Sequence, residues 1–199
     1  SRIVREFAFK SCPKYLQDKA GTTPGNYCMI EVKPNWHDST ELLGYYSRLG
    51  KAGYQFTKFV KFLVKAKMFP NVPFFVCLDE MNLAPVEQYF AEFLSVLETR
   101  RLIKNGEGED EVVSGVLVDK EYFAKLGTLS STSGTLGTLK TDRDIYFKLF
   151  DIQDKVEMEK VENDSDSLLT EGLTLPENVF IVGTVNMDDT THQFSRKVI

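Results

Sequence analysis

Two apolar runs, each ending in polar side chains, constrain the fold of this chain more than any other feature. The first run, residues 74–78, leads directly into Asp79 and Glu80, and the second, residues 179–182, leads to Asn186. Apolar runs of this length are typical of strands that are buried on both faces of a parallel sheet. The pattern therefore predicts two neighbouring parallel strands whose carboxyl ends form one site, because open α/β sheets carry their chemistry at that edge.

The polar residues that follow the two runs favour a nucleotide site. Charged side chains at the end of a buried strand cost free energy unless a cation or hydrogen-bond donors meet them. In P-loop nucleoside triphosphatases the same layout, the Walker B element, gives Asp to Mg²⁺ and lets the adjacent Glu orient water. Asn186 would lie beside Asp79 and Glu80, where its amide can hold a water or a phosphate oxygen. An ordinary strand that runs into a polar loop is the alternative for either run alone.

Three short motifs resemble the McrB-like branch of the AAA+ ATPases, which are P-loop motors that usually work as rings. They are Leu-Asp-Glu-Met-Asn at 78–82, Phe-Ala-Glu at 90–92 and Gly-Thr-Val-Asn at 183–186. The likeness extends from Ile30 to Ile199, apart from a divergent middle. The namesake of the branch is the GTP-driven motor subunit of a restriction system that cuts methylated DNA. The resemblance implies an α/β fold of the P-loop AAA+ type, a parallel sheet with helices on both faces.

The resemblance also implies a role for each site residue. Glu80 would be the catalytic base, and Asn82 and Asn186 would polarise or position the attacking water. Asp79 would bind Mg²⁺, and Asp189 matches an aspartate of the family's post-sensor motif at the nucleotide. The expected cofactors are therefore Mg²⁺ and either ATP or GTP.

The amino-terminal residues predict that the chain is a segment of such a motor, from just after Walker A to just after sensor 1. The sequence contains no G-x-x-x-x-G-K-[ST] loop, yet residues 1–10 have the pattern of an amphipathic helix with Ile3, Val4 and Phe7 on one face. Ser1 would then be the last Ser of that loop and a ligand of Mg²⁺. The alternative is a domain that never had the loop. Without the Walker A strand and loop and the helical lid domain, we expect the segment alone not to hydrolyse nucleotide.

The divergent middle, residues 103–174, is predicted to be an insertion in a single partial AAA+ domain that spans residues 1–199. The acidic run at 107–111 predicts a solvated hairpin tip. The Ser, Thr and Gly content of 129–139 predicts a flexible loop, and the apolar spacing of 142–159 predicts a helix.

Helical spacing predicts two more helices, over residues 55–67 and from Pro85 to Glu98. The lone Trp36 is expected to cover the edge of the core, with contact to a substrate as the alternative. Three cysteines without C-x-x-C spacing, two of them in predicted strands, indicate reduced, buried thiols and a cytoplasmic protein.

Composition and charge limit the partners. The formal net charge of −5 and pI near 5.2 predict no general attraction to DNA, so DNA would be contacted only indirectly. No apolar stretch approaches the roughly 20 residues of a membrane span.

The resemblance implies a homo-oligomeric ring, with a nuclease subunit as a candidate partner. Leu83 and Thr190 stand where the namesake has arginine, so the choice between ATP and GTP stays open. Two alternative functions are a nucleotide-independent interaction module and an AAA+ chaperone that remodels proteins.

Overall fold

The computed structural model has a mixed α/β fold, and it describes residues 2–49, 53–126, 128–130, 136–161, 163 and 165–187. The helices in these residues are α1 (Arg2–Ser11), α2 (Thr40–Leu43), α3 (Lys58–Met68), α4 (Val86–Tyr89), α5 (Ala91–Glu98), α6 (Lys120–Ala124), α7 (Asp142–Phe150), α8 (Lys155–Met158) and α9 (Ser167–Thr170), with 3₁₀ turns at Lys14–Leu16 and Met81–Leu83. The strands are β1 (Tyr27–Glu31), β2 (Tyr45–Ser47), β3 (Gly53–Gln55), β4 (Phe74–Asp79), β5 (Arg101–Lys104), β6 (Asp110–Val113), β7 (Val116–Asp119), β8 (Thr128–Ser130), β9 (Leu136–Thr138), β10 (Gly172–Thr174) and β11 (Val179–Gly183).

A three-stranded parallel sheet with the order β1-β4-β11 lies at the centre of the fold. Glu31 pairs with Asp79, and Gly183 pairs with Leu78, so the carboxyl ends of the three strands lie level with one another. The predicted parallel pairing of the two apolar runs is therefore confirmed, but the predicted burial of both faces is wrong for β11, where Phe180 is 51% and Val182 is 37% exposed. The remaining strands form antiparallel pairs, β2 with β3, β5 with β6, β8 with β9 and β7 with β10.

The main hydrophobic core lies between this sheet and α3. The ring of Phe62 on α3 contacts the ring of Phe74 on β4, with centroids 5.3 Å apart. Val76, which alternates with Phe74 along the strand, faces the same core. The helix begins slightly later than its pattern predicted, because the Thr57 hydroxyl caps it by accepting a hydrogen bond from Val60 N at 3.2 Å.

The first helix contacts the sheet with only part of its apolar surface. Phe75 and Cys77 point to the face opposite Phe74, and α1 contacts β1 and β4 there. Ala8 is fully buried in this contact, whereas Ile3 is 73% and Phe7 is 62% exposed. The helix itself was predicted correctly, but its larger apolar side chains remain uncovered among the described residues.

Two helices that were predicted as continuous are each divided in two. The break between α4 and α5 is confined to Phe90, whose ring is buried and stacks on Phe93 with centroids 4.6 Å apart. The break between α7 and α8 follows from Asp151, which ends α7 in the left-handed conformation with φ of 52°. A left-handed residue cannot continue a right-handed helix, so the period seen in the sequence spans a turn.

The described part of residues 103–174 shares the main core. Phe123, Ile145, Leu168 and Leu173 are fully buried members of the same hydrophobic cluster as Phe74. The segment therefore adds to the hydrophobic core and is not held only by its ends.

The two hairpins in this region have different relations to the sequence predictions. The acidic run forms the tip of the β5–β6 hairpin, as predicted, and Lys104 pairs with Asp110 across it at 2.6 Å. The Ser- and Gly-rich stretch was predicted to be a loop, but its flanks pair as β8 and β9. Residues 131–135 between them lie outside the described residues.

A buried carboxylate joins α7 to α9. Asp142 is 0% exposed, and its Oδ1 accepts a hydrogen bond from Leu168 N at 2.8 Å. Its Oδ2 accepts hydrogen bonds from the hydroxyls of Ser165 and Ser167. Three donors satisfy this carboxylate, which lets the charge be buried.

The remaining sequence predictions concern side chains in the core. Trp36 is buried and packs edge-on against Tyr89 at 5.3 Å, which confirms its place at the core. Cys12, Cys28 and Cys77 are buried free thiols, and burial raises the pKa of Cys28 to about 11. None of the helices in the described part of the chain has the length and apolar content that a membrane crossing requires.

Candidate functional site

The candidate site is the turn that follows β4, the central strand of the sheet. Asp79 is the last residue of β4, and Glu80 follows it at the surface. Asn186 lies on the extension of the neighbouring strand β11. The structure therefore brings together three residues that the sequence singled out, although residues 83–178 separate the two segments along the chain.

The Thr184 hydroxyl connects the two segments of the site. It donates a hydrogen bond to Asp79 Oδ1 at 2.8 Å and accepts one from Glu80 N at 2.9 Å. The backbone repeats the connection, since Thr184 N donates to Leu78 O at 2.9 Å and Met81 N donates to Thr184 O at 2.7 Å. No role was predicted for Thr184, although the sequence places it in the Gly-Thr-Val-Asn motif that follows the second apolar run.

Glu80 has a backbone conformation that is rare for a residue with a side chain. Its φ is 53° and its ψ is 49°, in the left-handed region. Such positions cost of order 1–3 kcal/mol and persist only where the surroundings impose them. The hydrogen bonds of Glu80 N to Thr184 and of Leu83 N to Glu80 O impose this one. A strained carboxylate residue at the end of a central strand is an arrangement that occurs at functional sites.

Asn82 is fully engaged with the backbone of Asn186. The side-chain amide of Asn82 donates to Asn186 O at 2.8 Å, and its Oδ1 accepts from Asn186 N at 3.2 Å. Asn82 is also 1% exposed. The water-polarising role expected of Asn82 stays a prediction, but the contacts that the structure describes position Asn186.

Buried side chains support the turn that carries Glu80. The Tyr89 hydroxyl donates to Met81 O at 2.9 Å, and burial raises the pKa of Tyr89. Met81 in turn packs on Gly183, where a Cβ would lie only 2.5 Å from Met81 Sδ. A side chain at position 183 would therefore displace the thioether end of Met81, which packs here because residue 183 is glycine.

The carboxylates of the site form no ion pair with the described residues. No Lys or Arg within the described ranges lies at ion-pair distance from Glu31, Asp79 or Glu80. Asp79 Oδ1 accepts a hydrogen bond from Thr184, and none of the described residues donates one to Oδ2. Across the described residues, no three His, Cys, Asp or Glu side chains are grouped to hold a metal ion. Mg²⁺ that binds through one or two carboxylates and completes its shell with phosphate oxygens and water needs no such group, so Asp79 is the residue that would hold it.

Two predicted site residues, Ser1 and Asp189, lie outside the described residues. Their predicted roles in binding Mg²⁺ and nucleotide stay predictions. The described part of the site is thus Asp79, Glu80 and Asn186, supported by Thr184 and Asn82.

Replacing Thr184 with valine is expected to lower the free energy of unfolding by about 1–2 kcal/mol, because Asp79 loses a donor and Glu80 N loses an acceptor. Valine keeps the volume of threonine, so cavity effects are small. Urea unfolding of the 199-residue chain measures the change. Thr184→Ser, which keeps the hydroxyl, serves as the control. Equal stability of the valine variant and the parent would show that this bridge contributes nothing.

Comparisons with known proteins found no family model that matches the chain and no similar protein among those with curated descriptions.

Proposed function

We propose that this chain belongs to the nucleotide-hydrolysing core of an AAA+ ATPase of the McrB-like branch. The observation that supports the proposal most is the pair Asp79 and Glu80 at the carboxyl end of the central parallel strand, where neither forms an ion pair with a described residue. Carboxylates in this position are available to a cation and to water. Asn186, on the adjacent strand extension, adds an amide at the same edge.

Each residue of the site has a distinct task in this proposal. Asp79 would hold Mg²⁺ through Oδ2, while Thr184 orients the carboxylate through Oδ1. The ion would neutralise charge on the phosphates of ATP or GTP. Glu80, exposed and without a hydrogen bond to its carboxylate among the described residues, takes a proton from the attacking water. Asn186 positions that water or a phosphate oxygen.

Asn82 acts through Asn186 in this proposal and is a positioning residue. Its two side-chain hydrogen bonds fix the backbone of Asn186 relative to the turn that carries Glu80. A homo-oligomeric ring and a nuclease subunit remain proposals for the assembly, on the resemblance alone.

Asp79→Asn is expected to weaken nucleotide binding in the presence of Mg²⁺ by roughly 10–100-fold or more. Loss of a residue that only supports a metal ligand already weakens metal binding by that factor. Asparagine keeps the shape and the bond from Thr184 but removes the negative charge. Isothermal titration of the protein as its gene encodes it, with ATP and GTP in separate experiments, measures the effect.

The same titrations with EDTA in place of Mg²⁺ provide the control, since parent and variant should then bind alike. Glu87→Gln on α4 is the matched surface control and should bind as the parent does. If the parent binds neither nucleotide, or Asp79→Asn binds both as the parent does with Mg²⁺, the proposed function is wrong.

A further inference from the structure

A cleft of about 570 Å³ lies between α3, the 3₁₀ turn after α1, and the α7–α8 region. It is distinct from the candidate site, since its lining does not include Asp79, Glu80 or Asn186. Its volume falls within the range of roughly 300–1,000 Å³ that small-molecule sites occupy. The cleft is therefore large enough for a small ligand.

The floor of the cleft is aromatic. The rings of Tyr15 and Tyr146 each lie 6.2 Å from that of Phe69, measured between centroids. Phe69 and Tyr146 are buried, whereas Tyr15 and Val156, which also line the cleft, are exposed. A planar apolar group in the cleft could contact these rings and the Val156 side chain.

The side chain of Lys65 places a part-buried ammonium group in the lining of the cleft. Its Nζ donates to Gly25 O at 2.7 Å, and no carboxylate among the described residues lies within ion-pair distance of it. Burial lowers the pKa of the Lys65 ammonium, and the electrostatic effect of Cys12, Cys28 and Glu157 partly offsets this lowering. An ammonium removed from water without a counter-ion is stabilised by an anion that enters the cleft.

The charges around Lys65 also favour an anion. Lys14, Lys19 and Lys160 line the cleft, and within the described ranges none of them is in an ion pair. Of the three acidic lining residues, Asp18 accepts hydrogen bonds from the Thr22–Thr23 turn, Asp154 caps α8, and Glu157 is close enough to Lys65 to raise its pKa. Four lysines against three acids give the cleft lining a formal charge of +1, on a chain whose formal net charge is −5.

We propose that this cleft binds a small molecule with one aromatic ring and one anionic group, a carboxylate or a phosphate. Lys65 binds the anionic group, and the Tyr146 hydroxyl, which makes no hydrogen bond to another described residue, donates to it. The ring of the ligand packs on Phe69 and Tyr15.

Benzoate and phenyl phosphate are the probes, and benzamide is the uncharged control. In ¹H–¹⁵N spectra of the 199-residue chain, we expect at least one anionic probe to saturate with a Kd of about 1–10 mM. The shifted amides should lie near Tyr15, Phe69 and Tyr146, and benzamide should bind at least about tenfold more weakly, since it lacks the charge-assisted bond. Saturation by benzoate alone identifies a carboxylate site, and saturation by phenyl phosphate alone identifies a phosphate site.

Lys65→Met is expected to weaken binding of the anionic probe by about tenfold or more, because a charged hydrogen bond is lost. Tyr146→Phe is expected to weaken it about fivefold, because a neutral hydrogen bond is lost. Lys61→Met, on the same helix but outside the cleft lining, should bind as the parent does. The comparison of benzoate with benzamide on the parent needs no variant, so it decides the proposal even if Lys65→Met does not fold. Equal binding of charged and uncharged probes, shifts confined to another surface, or no saturation by either anion would overturn it.

Discussion

Glu80→Gln should lower nucleotide hydrolysis by the gene-encoded protein by about 10²–10⁴-fold, the contribution expected of a general base. The amide of glutamine keeps the length and shape of the side chain but cannot accept the proton of water at neutral pH. Nucleotide binding should change little, because Asp79, Thr184 and Asn186 keep their contacts. Phosphate release with ATP and with GTP, measured separately from binding, checks both halves of this expectation.

Glu87→Gln is the matched control for this experiment. Glu87 is an exposed glutamate on α4, the helix that follows the candidate site, so the same chemical change is made close by without touching the site. It should hydrolyse nucleotide at the parental rate. Turnover near the parental rate in Glu80→Gln would show that Glu80 is not the base, whereas a parent that neither binds nor hydrolyses nucleotide would favour the nucleotide-independent interaction module.

Asp142→Ala should lower the free energy of unfolding by about 3 kcal/mol. The carboxylate accepts hydrogen bonds from two serine hydroxyls and from the buried Leu168 N. Hydrogen bonds to a charged group contribute roughly 1.5–3 kcal/mol each, and the donors left behind lose their acceptor. Urea or thermal unfolding of the 199-residue chain measures the loss.

Two further variants separate the causes of this loss. Asp142→Asn keeps the volume and one acceptor oxygen, so it should cost about half as much as the alanine variant. Asp110→Ala removes an exposed aspartate whose ion pair with Lys104 lies at the surface, so it should cost less than about 1 kcal/mol. If Asp142→Ala is no more destabilising than Asp110→Ala, the buried carboxylate does not hold α7 to α9.

The candidate site shows where reasoning from the sequence succeeded and where it could not. Asp79, Glu80 and Asn186 were predicted to be neighbours, because apolar runs that end in polar residues indicate parallel strands with level ends. Thr184 was given no role, and Asn82 was assigned to water. Their hydrogen bonds join residues 104 or 105 positions apart, and such pairings depend on strand register.

Helix boundaries were less well predicted than helix positions, for a local reason. The spacing of apolar residues continues through Phe90 and through Asp151, where the helices break. Apolar spacing reports which side chains face the core, and a turn between two helices on one core keeps that spacing. The backbone conformation of Asp151, which ends α7, is not encoded in the apolar pattern.

The sequence by itself determined the mixed α/β class, the parallel pairing of the two apolar runs and the position of the carboxylates at their ends. These properties follow from local patterns of apolar and polar residues, which decide what can be buried. Only the tertiary structure decided which donors meet Asp79 and Asp142, and that Lys65 faces an aromatic cleft. Those contacts depend on how elements distant in the sequence pack, and hydrogen bonds require a partner at a defined distance and angle.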